Sequence, residues 1–331
     1  MPEYKRKTLQ YRCVEGLHDG RTLQNLLTPV ISGSHAYVDQ RSQAVEGAHP
    51  DDELNRCLNR WVHEDNMLFG EFILYVPGTN KQVVTVQQRQ RELSVDQIQP
   101  PQDPDGHPRE FIDSVLYFGV KDNHLAIMQS QSLSDRDLER YLSWLLGSEG
   151  GNVLLDGEQI ALRKELDIAS RNIFNDVREV TVGAPLFDPT ETQGTVDPET
   201  KQVNVNLTGR GLDWLRHALG RDWVDQLDQA DLAGAHNVEV HLSIVRKGGK
   251  RTPGPDNAPQ QTMSAITTTL RHLHEEDVTV HTRTYGTVKG DKLFLKTNKS
   301  IKCQYGVPTV DHVFEEMGAW LLECIEQDLV Q

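Results

Sequence analysis

The sequence predicts an α+β protein of antiparallel sheets with helices packed on one face, in two domains. Three observations predict it: β-branched and aromatic runs flank short turn segments, a well-capped amphipathic helix directly follows one such pair, and 331 residues exceed what one core commonly holds. The expected division is an N-terminal α+β domain over residues 1–150, with hairpins and a helix at 134–147, and a C-terminal α+β domain over 151–331. The second domain carries a basic loop at 246–251, a basic hairpin at 279–302 and a closing helix at 311–329.

Residues 4–14 read as a strand, and 22–27 as a short helix ending before Pro29, whose ring removes a helical donor. The polar stretch 39–52 reads as a loop. In 54–62 the spacing of Leu54, Leu58 and Trp61 predicts a helix. Residues 70–76 and 81–87, joined by Pro77-Gly78-Thr79-Asn80, predict a hairpin, and the Pro-, Asp- and Gly-rich segment 97–110 an irregular surface connection. A second hairpin spans 112–130 about Lys121-Asp122-Asn123. The helix after it has Ser134 to cap the amide of Asp137, Leu133 to staple onto Leu138 and Gly147 to end it, with Leu138, Tyr141, Leu142 and Leu145 as its apolar face.

Further on, residues 147–152 form a loop or hinge, and strands are expected near 159–162, 179–182, 202–207 and 237–245. Helical spacing marks 211–232, 260–276 and the closing helix, where Val313, Met317, Trp320, Leu321 and Cys324 share a face. All five tryptophans, Trp61, Trp144, Trp214, Trp223 and Trp320, fall on expected helices and read as core or interface anchors.

Composition excludes several classes. The chain is 37% hydrophobic and 6% aromatic, the polar end of folded soluble proteins. Cys13, Cys57, Cys303 and Cys324 show no metal-ligand spacing and no disulfide framework, which suits reduced thiols. No signal peptide and no spanning segment is evident, so a cytoplasmic location without membrane insertion is expected.

A net charge of −15 should repel polyanions, yet residues 279–302 hold Arg283, Lys289, Lys292, Lys296, Lys299 and Lys302 against Asp291 alone. That segment is therefore +5 and the remainder −20, from −15 minus 5. The loop 246–251 adds Arg246, Lys247, Lys250 and Arg251 around Gly248 and Gly249, which let a backbone approach phosphate. Such segregated cations supply sequence-independent affinity for DNA phosphates, or else solvate a strand face and block edge aggregation. Tyr285 and Phe294 are the aromatics placed to meet a nucleotide, although burial is the commoner role for each.

Enzymatic readings are weaker. His241 and Ser243, in HLSI, fit one half of a two-histidine phosphoesterase, with His281 in HTRT as an imperfect second half because Arg283 stands where Ser or Thr is needed. Nuclease carboxylates would come from Asp256, from Asp291 with Lys292, or from Glu158 with Lys164. No catalytic residue, metal or cofactor is assigned. His272 and His274 lie two apart on an expected helix and so face different ways.

The order of elements EFILYV, KQVVTVQ, LSVDQIQ, FIDSVLYFGVKDNHLAIMQSQSLSDRDLERYLSWLL, EVHLSIVRKGGKR and FEEMGAWLLECIEQDLV, over residues 70–330, resembles the RexA-type phage-exclusion proteins of prophages. The resemblance implies a homodimeric, two-domain DNA-binding protein, distantly similar in architecture to RdgC recombination-associated proteins. It also implies a role in abortive infection, sensing phage DNA or replication intermediates and triggering a membrane effector protein. The basic surface it implies falls on Arg283, Arg246, Lys247, Lys250 and Arg251; in a homodimer of this kind the closing helix is expected to pack across the interface. A protein-binding defence component without nucleic acid remains the other reading from a different class.

Overall fold

The structure, a computed structural model, describes residues 3–46, 53–85, 94–165, 177–185, 195–196, 203–204, 239–245, 278–282, 287–289, 292–327 and 329–330. In chain order these contain β1 (Glu3–Glu15), α1 (Leu23–Pro29), β2 (Ser42–Glu46), β3 (Glu53–Glu64), β4 (Met67–Tyr75), β5 (Lys81–Thr85) and β6 (Ser94–Ile98). Then come β7 (Ile112–Lys121), β8 (His124–Met128), α2 (Asp135–Leu146), β9 (Ala161–Lys164), β10 (Val177–Pro185), β11 (Thr195–Val196) and β12 (Val203–Asn204). The rest are β13 (Glu239–Val245), β14 (Val278–Thr282), β15 (Thr287–Lys289), β16 (Lys296–Gln304), β17 (Val307–Pro308) and α3 (Val310–Glu326). Antiparallel sheets with a few helices make this an α+β protein.

The chain divides into two compact units, Met1–Glu165 with Leu295–Gln331, and Leu166–Phe294. The closing strand and helix, read from sequence with the C-terminal half, thus share a unit with the N-terminal residues, because β16 pairs antiparallel along β1 from Glu3↔Cys303 to Gln10↔Lys296. In the second unit a four-stranded sheet runs β13-β10-β14-β15, and β11 and β12 form a short two-stranded sheet of their own.

The first unit is built on a nine-stranded antiparallel sheet, ordered β17-β16-β1-β8-β7-β4-β3-β2, with β9 also on β1. Successive strand residues point to opposite faces, so one strand feeds two cores. Leu116, Phe118, Leu125 and Ile127 pack with Leu23 and Leu27 of α1 and with Leu138, Tyr141, Leu142 and Leu145 of α2. The alternate residues Tyr117, Ala126, Leu9 and Tyr11 pack with Val313, Met317, Trp320 and Leu321 of α3. Accordingly α2 lies on one face, as its hairpin-helix unit predicts, and α3 covers the other. Gly70 is where the first core closes most tightly: a Cβ there would lie 2.4 Å from the Phe118 ring and 2.8 Å from Leu58.

The second expected hairpin and its helix form as read. β7 and β8 meet at Lys121↔His124 across Asp122-Asn123, with Asp122 at φ 55. Ser134 and Asp137 make a reciprocal capping box, Gly147 is the C-cap, and Leu133 is buried in the same core as Leu138.

Other segments differ from their sequence reading. Residues 53–64 are strand β3 rather than helix, because a bulge between Leu58 and Arg60 inserts one residue and brings Leu58 and Trp61 to the same core despite their spacing of three. The described residues of the expected loop 39–52 contain a 3₁₀ turn, Asp39–Arg41, and β2, which pairs with β3. β4 does not form a hairpin with β5: its edges are taken by β3 and β7, and β5 pairs with β6 instead. Helix α1 runs through Pro29 into a π-helical turn at Val30–Ser34, where His35 N–H donates to Val30 O at 2.8 Å. The basic stretch 279–302 is not one hairpin, since β14 and β15 pair in the second unit whereas β16 joins β1. The expected helices at 211–232 and 260–276 lie outside the described residues.

Candidate nucleic-acid interface

The cations singled out from sequence are distributed over both units. Arg246, Lys247, Lys250, Arg251 and Arg283 lie outside the described residues. Lys289, on β15 opposite Thr279, is exposed, as is Lys292. Lys296, Lys299 and Lys302 stand on β16.

What β16 meets is a second basic strand. Its partner β1 opens with Lys5, Arg6 and Lys7, which register opposite Ile301, Ser300 and Lys299. Residues 3–10 and 296–303 together hold six cations, Lys5, Arg6, Lys7, Lys296, Lys299 and Lys302, against one acid, Glu3. The ladder is therefore +5 in a chain of −15. Two of these charges are partly offset: Lys5 lies 3.6 Å from Glu3, and Lys299 lies 3.6 Å from Glu316 of α3. Both pairs are partly solvated and weak. Arg6, Lys7 and Lys302 have no ion pair among the described residues.

Strand length explains why the ladder is open. β8 pairs with β1 only from Gln10 to Cys13, so residues 3–9 outrun it and keep β16 as their strand partner. The helices also stop short. Arg12 is buried beneath α2, where its guanidinium donates to Asp135 at 2.7 Å, to Tyr11 O and to Gln10 Oε1, but Tyr4, Arg6 and Thr8 on that same face are exposed. Across from them Ser300 and Asn298 are exposed and Lys302 half-buried, and Thr8 Oγ1 donates to Asn298 Oδ1 at 3.0 Å. The opposite face places Lys5, Lys7 and Lys299 beside the second core.

Two tyrosines flank the cations. Tyr4 is 57% exposed and its ring meets that of His312 edge-on at 5.9 Å, while the His312 Nδ1 accepts from the Lys302 backbone at 3.4 Å. Tyr305 is 96% exposed in the two-residue turn to β17, with φ 52, followed by Gly306 at φ 85. Phe294 takes the commoner of the two roles weighed for it, being 3% exposed, and Tyr285 lies outside the described residues. The sequence signal for the missed half of this surface is the run Tyr4-Lys5-Arg6-Lys7 at the head of an otherwise alternating strand.

Of the residues weighed for other chemistry, Asp256 and Asp291 lie outside the described residues. β13 and β14 flank β10, with His241 opposite Gly183 and His281 opposite Glu179. Those two positions register four residues apart along β10, about 13 Å at ~3.3 Å per residue of strand. The Glu158 carboxylate accepts the amides of His18 and Leu155 and pairs with Arg21 at 3.2 Å, which ties two loops together. Burial acts to raise its pKa, but these amides and the Arg21 charge hold it below the ordinary value. Asp103, Asp105 and His107 come within 4.8 Å in an exposed loop. Asp103 spends its oxygens on the amides of Asp105 and His107 and on the His107 ring. All four cysteines are free and buried. Among the described residues no helix is long and apolar enough to cross a membrane.

No family model matches the chain. The small ribosomal subunit protein eS6 of Haloarcula marismortui is 34% identical to it over 105 residues, a match covering 26% of this chain and 81% of that protein. By that identity and coverage the chain belongs to the eS6 family over the matched quarter of its length, and the rest of the chain stands outside that relationship.

Proposed function

We propose that this protein binds nucleic acid, holding backbone phosphates on the open ladder of β1 and β16. The observation that carries the reading is charge segregation: +5 over two paired eight-residue segments, in a chain of −15. Lys and Arg rows of this kind give salt-dependent, sequence-independent affinity, and a net-acidic remainder favours approach at the basic segments over the rest of the surface. Arg6 and Lys302, which share a face of the ladder, are the principal contacts. Arg283 and the loop 246–251 keep the phosphate-binding role that the RexA-type resemblance gives them.

The similarity to a small ribosomal subunit protein adds RNA to the DNA that the resemblance suggests. We place the protein in the cytoplasm, where four buried free thiols suit reducing conditions. Homodimerisation, phage exclusion and a membrane effector rest on the resemblance alone. Efficiency of plating on a host with and without the gene tests the exclusion role.

Binding itself is tested by fluorescence anisotropy of the full chain with labelled DNA and RNA from 50 to 300 mM salt. Each phosphate contact contributes about −0.9 to the slope of log K against log salt on a duplex and about −0.7 on a single strand. The double variant Arg6→Ala/Lys302→Ala should weaken binding and flatten the slope by roughly one to two. Absence of binding to any nucleic acid at low salt overturns the proposal.

A further inference from the structure

Resting on that reading, we infer that the ligand is single-stranded, with bases stacking on Tyr305 and Tyr4 while Lys302, level with Tyr4, and Arg6, two residues further from the turn, hold its phosphates. The two rings stand at one end of the basic ladder. Tyr4 is directly opposite Lys302, and Tyr305 follows Lys302 by three residues, about 10 Å along the strand.

The turn argues that Tyr305 is displayed rather than tolerated. A two-residue hairpin loop with positive φ at both positions favours Asn or Asp followed by Gly, and a bulky aromatic is unusual there. Here Tyr305 at φ 52 fills the Asn position, Gly306 at φ 85 follows, and the ring is 96% exposed. It therefore gains nothing from burial within the described residues while accepting a backbone conformation that suits other side chains better. Tyr4 is held from one side by the edge-on His312 ring at 5.9 Å, which fixes its orientation and leaves 57% of the residue in solvent. A preset aromatic face beside cations is the arrangement on which unpaired bases stack, whereas bases within a duplex present edges rather than faces.

Anisotropy with labelled dT15, rU15 and a 15-base-pair duplex tests the inference on wild type, Tyr305→Asn, Tyr305→Phe and Tyr4→Ala. Asn suits the turn, so Tyr305→Asn removes the ring without straining the hairpin. We expect a ~5- to 100-fold loss of dT15 or rU15 affinity in Tyr305→Asn and in Tyr4→Ala, with salt slopes unchanged and Tyr305→Phe near wild type. The dT15 and rU15 arms decide between DNA and RNA as the source. Equal affinity for single strand and duplex, with Tyr305→Asn unaffected, overturns stacking and leaves phosphate binding standing; no binding by the wild type in any arm overturns both.

Discussion

Lys7 and Lys299 stand directly opposite each other across the ladder that joins β1 to β16. Opposed residues of an antiparallel pair share a face, so the two ammonium groups are cross-strand neighbours of like charge, an arrangement that opposes pairing. Glu316 relieves Lys299 at 3.6 Å, and Lys7 has no ion pair among the described residues.

A like-charge pair retained in a ladder is a stability cost that an anion would repay, which makes the variant Lys7→Glu informative. It should stabilise the protein by about 0.2–1 kcal/mol by converting repulsion to attraction, a rise of roughly 1–3 °C in Tm for a unit of this size. It should at the same time weaken nucleic-acid binding and flatten its salt slope. Thermal denaturation and anisotropy on the same variant check both signs. A loss of stability together with binding would show that the pair is not repulsive in solution.

The buried pair of Arg12 and Asp135 contributes to the acid limb of stability. Burial acts to raise the Asp135 pKa, but the Arg12 guanidinium, then the Lys164 ammonium, overcome it and hold the carboxyl below its ordinary 3.8. A depressed folded pKa means that the unfolded chain takes up the proton more readily. The pair's contribution is thus complete above the unfolded pKa of about 3.9 and is lost as pH falls through the folded value. Urea denaturation should show stability falling from about pH 4 downwards. Asp135→Asn should lose about 1–3 kcal/mol already at pH 7, by removing the carboxylate that accepts from the buried Arg12 guanidinium, and should show a shallower acid limb.

How much was legible in the sequence follows from the distance over which each feature is specified. Helix α2 was readable because Leu133, Ser134, Asp137 and Gly147 act within a few residues of one another, and the β7-β8 hairpin because Asp122-Asn123 sits between two β-branched runs. β3 was not, because the bulge at Asn59 gives Leu58 and Trp61 a helical spacing on a strand, and only the pairing with β4 reveals it. The lysines of β16 were visible as a charge cluster. Lys5, Arg6 and Lys7 were not assigned to the same surface, since that depends on contacts such as Thr8 to Asn298, which spans 290 positions.

The same bulge yields a final prediction. An extra residue in a ladder leaves backbone groups without strand partners, and here side chains from elsewhere serve them. The Arg41 guanidinium donates to Leu58 O at 3.0 Å and Asn59 O at 3.3 Å. The Tyr141 hydroxyl accepts from Leu58 N–H at 2.9 Å and donates to Arg41 O at 2.6 Å. Tyr141 is wholly buried, so its burial raises the pKa and the hydroxyl stays neutral and available as a donor. Tyr141→Phe keeps the ring against Phe72, 4.6 Å away, but strands one buried donor and one buried acceptor. It should destabilise the protein by about 1–3 kcal/mol, and hydrogen exchange should speed most at Leu58. A Phe variant as stable as wild type would mean that the bulge draws its partners from water instead.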